Sequence, residues 1–229
     1  MKIEASNACA TKTATIGLIY VGDDPVAEID IFPYDSLACV NSIVIFSDIS
    51  VDGVVINNGN CNQTTRSEWV ITPSSGWNLT GNSQTGNILS GNPNNWGSNN
   101  LTVNFSAAGT YEIMLLVKNN CGDDVARQTV CIVPEPSASF SVDATFGCMP
   151  WAINATNTSA SLSDCYPADF IWDVQQVSPS CNYPSLWDFA PQSFPTDTNP
   201  SFIFSNPGKY EISLEVSNVC PSSITAYDN

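Results

Sequence analysis

Histidine is absent from the 229-residue chain, and lysine and arginine number 6 against 22 aspartates and glutamates, a formal net charge of -16. The missing imidazole removes the commonest general base, the Ser-His and Cys-His nucleophile pairs and the usual nitrogen ligand of metals. Scarce cations exclude nucleic acid as a partner, because binding phosphates needs a positive footprint that displaces counterions. Long apolar runs are missing too. The longest, Ile43 to Phe46, falls far short of the roughly 20 residues that cross a bilayer. The opening MKIEASNACA lacks the apolar core of a signal peptide, so no membrane span is expected and any export signal is expected outside this chain. No C-x-x-C pair, G-x-S-x-G elbow, P-loop or dinucleotide fingerprint occurs. An enzyme here would have to work with carboxylates. Glycosidase chemistry needs two of them about 5 to 10 Å apart in a cleft, whereas nearly all fall on wet strand faces or in turns, so the reading is non-catalytic.

What is present points to strands. Charged residues make up only 12% of the chain and hydrophobic ones 43%, and Asn, Ser, Thr, Gly and Pro crowd the gaps between short apolar runs. That texture belongs to an all-β protein with many turns. The 9 cysteines, without metal-type spacing, indicate an oxidising, extracytoplasmic setting. Their odd number leaves one without a partner.

The chain also repeats itself. Residues 109–122 read GTYEIMLLVKNNCG, residues 208–221 read GKYEISLEVSNVCP, and residues 2–10 read KIEASNACA, each closing on Asn-x-Cys. Alternation puts Tyr111, Ile113, Leu115 and Val117 on one face, with Tyr210, Ile212, Leu214 and Val216 in the equivalent places, the inward face of a strand whose other side is wet. Met114 and Leu116 break the pattern and are expected to lie under a loop. Upstream, each full unit has an opening strand (27–33 or 138–142), a cysteine (Cys39 or Cys148), a second strand (42–48 or 151–157), and a loop with another cysteine (Cys61 or Cys165). Next comes a strand with one central tryptophan, Trp69 or Trp172. Short strands in this order, with Trp on the third, signal a sandwich.

The tryptophan strand followed by G-T-Y-E-I-x-L-x-V-x-N-x-C-G resembles the polycystic-kidney-disease (PKD) repeat, an immunoglobulin-like β-sandwich. The cysteine-bearing variety resembles repeats arrayed in large secreted surface proteins of gliding bacteria. The W-D-F-G-D-G of better known PKD repeats is replaced here by Trp69-Val70-Ile71 and Trp172-Asp173-Val174. The resemblance implies tandem, disulfide-stapled PKD-like sandwiches: the closing hairpin of a preceding repeat at 1–22, a sandwich at 23–134 and another at 135–229. It also implies a non-catalytic stalk or adhesin at the cell surface, with neighbouring repeats of the same polypeptide, and surface polysaccharide or glycan, as partners. The alternative is a carbohydrate-binding accessory module of a secreted hydrolase. Pro134-Glu135-Pro136 between the units reads as an extended, semi-rigid joint.

In a sandwich of that topology, Cys61 should meet Cys121 at one end, and Cys165 should meet Cys220 by equivalence. Cys39 should lie near Cys131 at the other end, with Cys181 left for Cys148. Cys9 then remains, its partner expected upstream of this chain. Two ligand sites are candidates. Asp23, Asp24, Asp48, Asp52, Asp123 and Asp124 should gather at one tip, either as oxygen ligands for calcium or as hydrated, mutually repelling loops. Trp96 and Trp187, with Trp77 behind them, are either glycan-stacking platforms or rings packed over their own loops.

Overall fold

The structure is a computed structural model that describes residues 2–15, 17, 19–33, 36–57, 60–62, 65–160, 163–178, 182–220 and 224–228. Strands β1 (Lys2–Ser6) and β2 (Thr11–Thr15) form an exposed antiparallel hairpin. The first sandwich follows with β3 (Ile29–Phe32), β4 (Leu37–Cys39), β5 (Ile43–Asp48), β6 (Val55–Asn57), β7 (Asn60–Asn62) and β8 (Arg66–Thr72). It is completed by β9 (Trp77–Leu79), β10 (Asn100–Phe105), β11 (Gly109–Lys118) and β12 (Asp123–Val133). The second has β13 (Phe140–Val142), β14 (Trp151–Asn157), β15 (Asp169–Ser178), β16 (Trp187–Phe189), β17 (Ser201–Phe204), β18 (Lys209–Ser217) and β19 (Ile224–Asp228). One 3-10 turn, Pro93–Asn95, interrupts the loop before β10.

Both sandwiches share a plan. One sheet of the first runs β3-β5-β10-β9 and the other β4-β12-β11-β8; the second has β13-β14-β17-β16 and β15-β18-β19. All neighbours are antiparallel except β4, which lies parallel to β12. This order, with Greek-key crossings between facing sheets, is that of an immunoglobulin-like sandwich. The chain is thus a disulfide-linked tandem of immunoglobulin-like sandwiches.

Alternation explains the layering. Tyr111, Ile113, Leu115 and Val117 are buried while Glu112 and Thr110 are exposed, and Ile212, Leu214 and Val216 repeat the pattern. Across the gap lie Phe46, Leu101, Val103 and Phe105, around a Trp69 that is 1% exposed. Trp172, Phe202 and Leu214 hold the equivalent places in the second core. Each buried indole still needs an acceptor. Trp69 Nε1 donates to Ser98 O at 2.8 Å and Trp172 Nε1 to Asp197 O at 2.9 Å, one loop carbonyl per unit. The repeated tyrosine is a corner staple of the same kind: Tyr111 Oη lies 3.0 Å from Ala107 O, and Tyr210 Oη 3.0 Å from Asn206 O, each four residues upstream. Burial pushes the Tyr111 phenol up from its ordinary value. Gly76, at φ +85°, makes the close turn against that hydroxyl, where a Cβ would collide with it.

Met114 and Leu116 are only half-buried. Their cross-strand neighbours include Val70 and Val125, themselves exposed, so the four side chains form a small outer apolar patch in place of the expected loop-covered pair.

Candidate functional site at the joint between the sandwiches

The thrice-repeated Asn-x-Cys is a turn device. Asn and Asp side chains accept backbone N–H groups two and three residues on, replacing ladder bonds where a strand ends. Asn7 Oδ1 accepts from Cys9 N and Ala10 N, both at 2.9 Å. Asn119 Oδ1 accepts from Cys121 N at 2.7 Å and Gly122 N at 3.1 Å, and Asn218 Oδ1 accepts from Cys220 N at 2.8 Å. In both sandwiches the amide then reaches the segment by which the chain enters the unit. Asn119 Nδ2 donates to Asp23 O at 2.9 Å and Asp52 O at 3.1 Å; Asn218 Nδ2 donates to Pro134 O at 2.8 Å. One asparagine per sandwich therefore fixes a turn and clamps an incoming linker. This role escaped the sequence reading, although the triple recurrence of Asn two positions before Cys was the signal for it.

The cysteine of each turn faces the same linker. Cys121 Sγ packs against Gly22 and lies 3.9 Å from Val54 O. Cys220 Sγ lies 3.4 Å from Val133 O and is bonded to Cys39, with Cα atoms 5.7 Å apart. Next to it Cys131 is bonded to Cys165, Cα to Cα 5.9 Å. Both bonds cross from the first sandwich to the second, which corrects the expected pairs Cys39 with Cys131 and Cys165 with Cys220. The cause is the short strand β4. The segment carrying Cys39 docks parallel on β12, with Cys131 opposite Leu37 and Cys39 opposite Val133. Cys39 and Cys131 thus share the end of the first sandwich that abuts the turns of the second, and Cys165 and Cys220 arrive there. The two ends meet there, and the partners of these four cysteines exchange. Cys9, Cys121 and Cys148 have no disulfide partner among the described residues. The side chain of Cys61 and all of Cys181 lie outside the described residues, and with them the expected partners of Cys121 and Cys148.

The acidic tip is used differently from the calcium expectation. Asp124 Oδ2 accepts from Ala27 N at 2.9 Å, and Asp48 Oδ1 accepts from Ser50 N at 3.0 Å. The Asp24 carboxylate packs against Gly122, while Asp23 and Asp52 are engaged through their carbonyls with Asn119. Backbone donors at Ala27 and Val125 hold the Asp124 carboxyl below its ordinary value. Among the described residues no three His, Cys, Asp or Glu side chains converge as a metal group. The Asp48 and Asp124 carboxylates serve as turn and edge acceptors, and Asp23, Asp24, Asp48, Asp52, Asp123 and Asp124 do not form one cage.

The tryptophans are likewise engaged within the fold. Trp187 sits on β16 against Phe189 and Phe202, at centroid distances of 5.5 and 6.2 Å, half-buried against the second core. Trp77 packs on the first core and donates to Pro73 O at 2.8 Å. Trp96 is half-buried, donates to Ser90 O at 2.9 Å and lies under the Arg66 guanidinium at 5.8 Å. Trp96 and Trp187 lie in different units.

No protein-family model matches the chain, and no curated protein matches it in sequence. Among solved structures it is similar to the I-band fragment I67–I69 of titin, at 10% identity over 89% of this chain and 64% of that one, TM-score 0.48. It is also similar to the full Ig1–Ig3 ectodomain of mouse nectin-like molecule 4, at 9% identity over 91% and 65%, TM-score 0.45. A third similar structure is the Yersinia pseudotuberculosis adhesin InvE, at 14% identity over 88% and 57%, TM-score 0.37. The chain spans less than two thirds of the length of each of these three.

Proposed function

We propose that this chain is a non-catalytic segment of an extracellular, cell-surface adhesin or stalk, acting as a semi-rigid spacer and adhesion surface in attachment or gliding motility. The observation that carries the reading is the joint. Two disulfides and the Asn218 clamp cross between consecutive sandwiches, which stiffens a tandem whose short linker is bracketed by Pro134 and Pro136. Bonds of this kind persist in an oxidising compartment. A net charge of -16 keeps such a rod soluble and self-repelling. In this reading residues 1–22 are the closing hairpin of a preceding PKD-like repeat, and 23–134 and 135–229 are full repeats. In this reading Cys9, which has no disulfide partner among the described residues, is open to a partner in the preceding repeat. For the carbohydrate-binding alternative, Trp187 is half-buried against the second core and Trp96 is bonded to its own loop. The test is antibody labelling of intact source cells, with attachment measured under flow before and after deletion of 23–229 from the full protein. Surface labelling and weakened attachment are expected; antigen confined to the cytoplasm, or unchanged attachment, would overturn the reading.

A further inference from the structure

The outer face of the sheet formed by β8, β11 and β12 differs from the rest of the surface. Its middle is apolar. Met114 pairs with Val70 of β8, and Leu116 with Val125 of β12; Val70 and Val125 are 37% and 40% exposed. Its ends are charged. Glu112 stands at one end of β11, where Arg127 bonds to it at 2.6 Å, and Lys118 stands at the other, paired with Asp123. Arg66 and Glu68 point the same way from β8. Three cations therefore balance three anions on this face, in a chain with only 6 basic residues and a net charge of -16. The whole of that net charge lies elsewhere.

The fold itself does not require such a face. In the second sandwich Ser213 and Glu215 of β18 stand where Met114 and Leu116 stand in the first, and Glu211 and Ser217 replace Glu112 and Lys118. Those four positions are acidic or carry a hydroxyl, as a strand face turned to water should be. The apolar pair and its basic flank are particular to the first sandwich.

Along β11 the outward order is Glu112, Met114, Leu116, Lys118: an acid, two apolar residues, a base. This order is self-complementary about a two-fold axis. With two copies face to face and their β11 strands antiparallel, Met114 lies over the partner's Leu116 and Glu112 over the partner's Lys118, and each contact recurs in reverse. A parallel arrangement would set Glu112 against its own copy and Lys118 against its own copy.

We propose that this face pairs two copies of the chain, sheet on sheet, with antiparallel β11 strands. The pairing goes beyond the stalk reading and does not depend on it. Three strands about 4.8 Å apart and four outward rows about 6.8 Å apart cover on the order of 400 Å² per copy. That is about half the area each partner gives to a standard interface, so the dimer is a weak one, with Kd on the order of 0.1 mM. Such pairing is populated where many copies are held at high local concentration.

The test is sedimentation equilibrium of the oxidised 229-residue chain, with free thiols alkylated so that no covalent dimer forms. It is run at about 0.15 M salt, where a Debye length of about 8 Å screens the two net charges. A reversible monomer–dimer equilibrium is expected. Met114→Ser with Leu116→Glu, which copies the second sandwich at those places, should weaken the dimer about tenfold or more and leave the circular dichroism spectrum unchanged. Glu112→Lys and Lys118→Glu should each weaken it, and an equimolar mixture of these two variants should recover it, because each contact between positions 112 and 118 then joins opposite charges. Three results would overturn the proposal: a monomer at every concentration up to about 1 mM, a dimer indifferent to the changes at Met114 and Leu116, or a mixture that associates no more tightly than either variant alone.

Discussion

Take the oxidised chain held by its two ends and stretched. Load entering from the N-terminus reaches Cys39, crosses the disulfide and leaves at Cys220, bypassing both cores. The bond spans 181 residues, a contour of about 650 Å at roughly 3.6 Å per residue that stays locked while the bond holds. Only the segments before Cys39 and after Cys220 can lengthen, about 50 residues or on the order of 170 Å of contour. Pairing within each sandwich would leave the stretch between Cys131 and Cys165, 34 residues, in the load path and add about 120 Å. Optical-tweezer stretching without and then with a reductant separates the cases. The crossed joint predicts a short oxidised extension and, after reduction, two further unfolding steps that release the locked contour. An oxidised extension longer by about 120 Å, or two sandwich-sized steps before any reductant is added, would refute the reasoning.

Asn119→Ala removes two acceptor and two donor bonds of a buried side chain and should destabilise the first sandwich by about 2 to 4 kcal/mol in urea titration; Asn7→Ala, in the exposed hairpin, should leave that midpoint unchanged. Tyr111→Phe should cost about 1 kcal/mol and delete from the ultraviolet pH titration a phenol that ionises above the ordinary range, a result contradicted if wild type and variant titrate alike. Asp143, held below its ordinary value by the backbone N–H and side-chain amide of Asn154, has a folded pKa under its unfolded one. Its stabilisation is therefore present above the unfolded value of about 3.9 and is lost as pH falls through the folded one. Asp143→Asn should flatten the acid limb of the stability profile below about pH 4, and an unchanged limb would contradict the assignment.

The strands of the repeated motif were legible because period-two alternation is a local property: Tyr111, Ile113, Leu115 and Val117 are buried in the order they were written. Trp69 and Trp172 were legible as third-strand anchors for the same reason. The disulfide partners were not, because pairing depends on which end of one sandwich abuts the next and on the docking of β4, both set by contacts far apart in sequence. Trp187 reads as a loop residue in NYPSLWDFAPQSF, whereas three residues of that stretch form β16 and set the half-buried ring against the second core. Composition says nothing about how many backbone donors compete for each aspartate carboxylate, and Ala27 and Ser50 take two of them.

The account turns on two bonds that leave one sandwich and enter the next. On loop-closure entropy alone, Cys39 with Cys220 is worth about 5 kcal/mol and Cys131 with Cys165 about 4, values that do not add fully because one loop lies inside the other. The most direct test is mass spectrometry of the chain after thiol blocking and acid digestion without reductant. Peptides joining Cys39 to Cys220 and Cys131 to Cys165 are the predicted result, and peptides joining Cys39 to Cys131 and Cys165 to Cys220 would contradict the cross-linked joint.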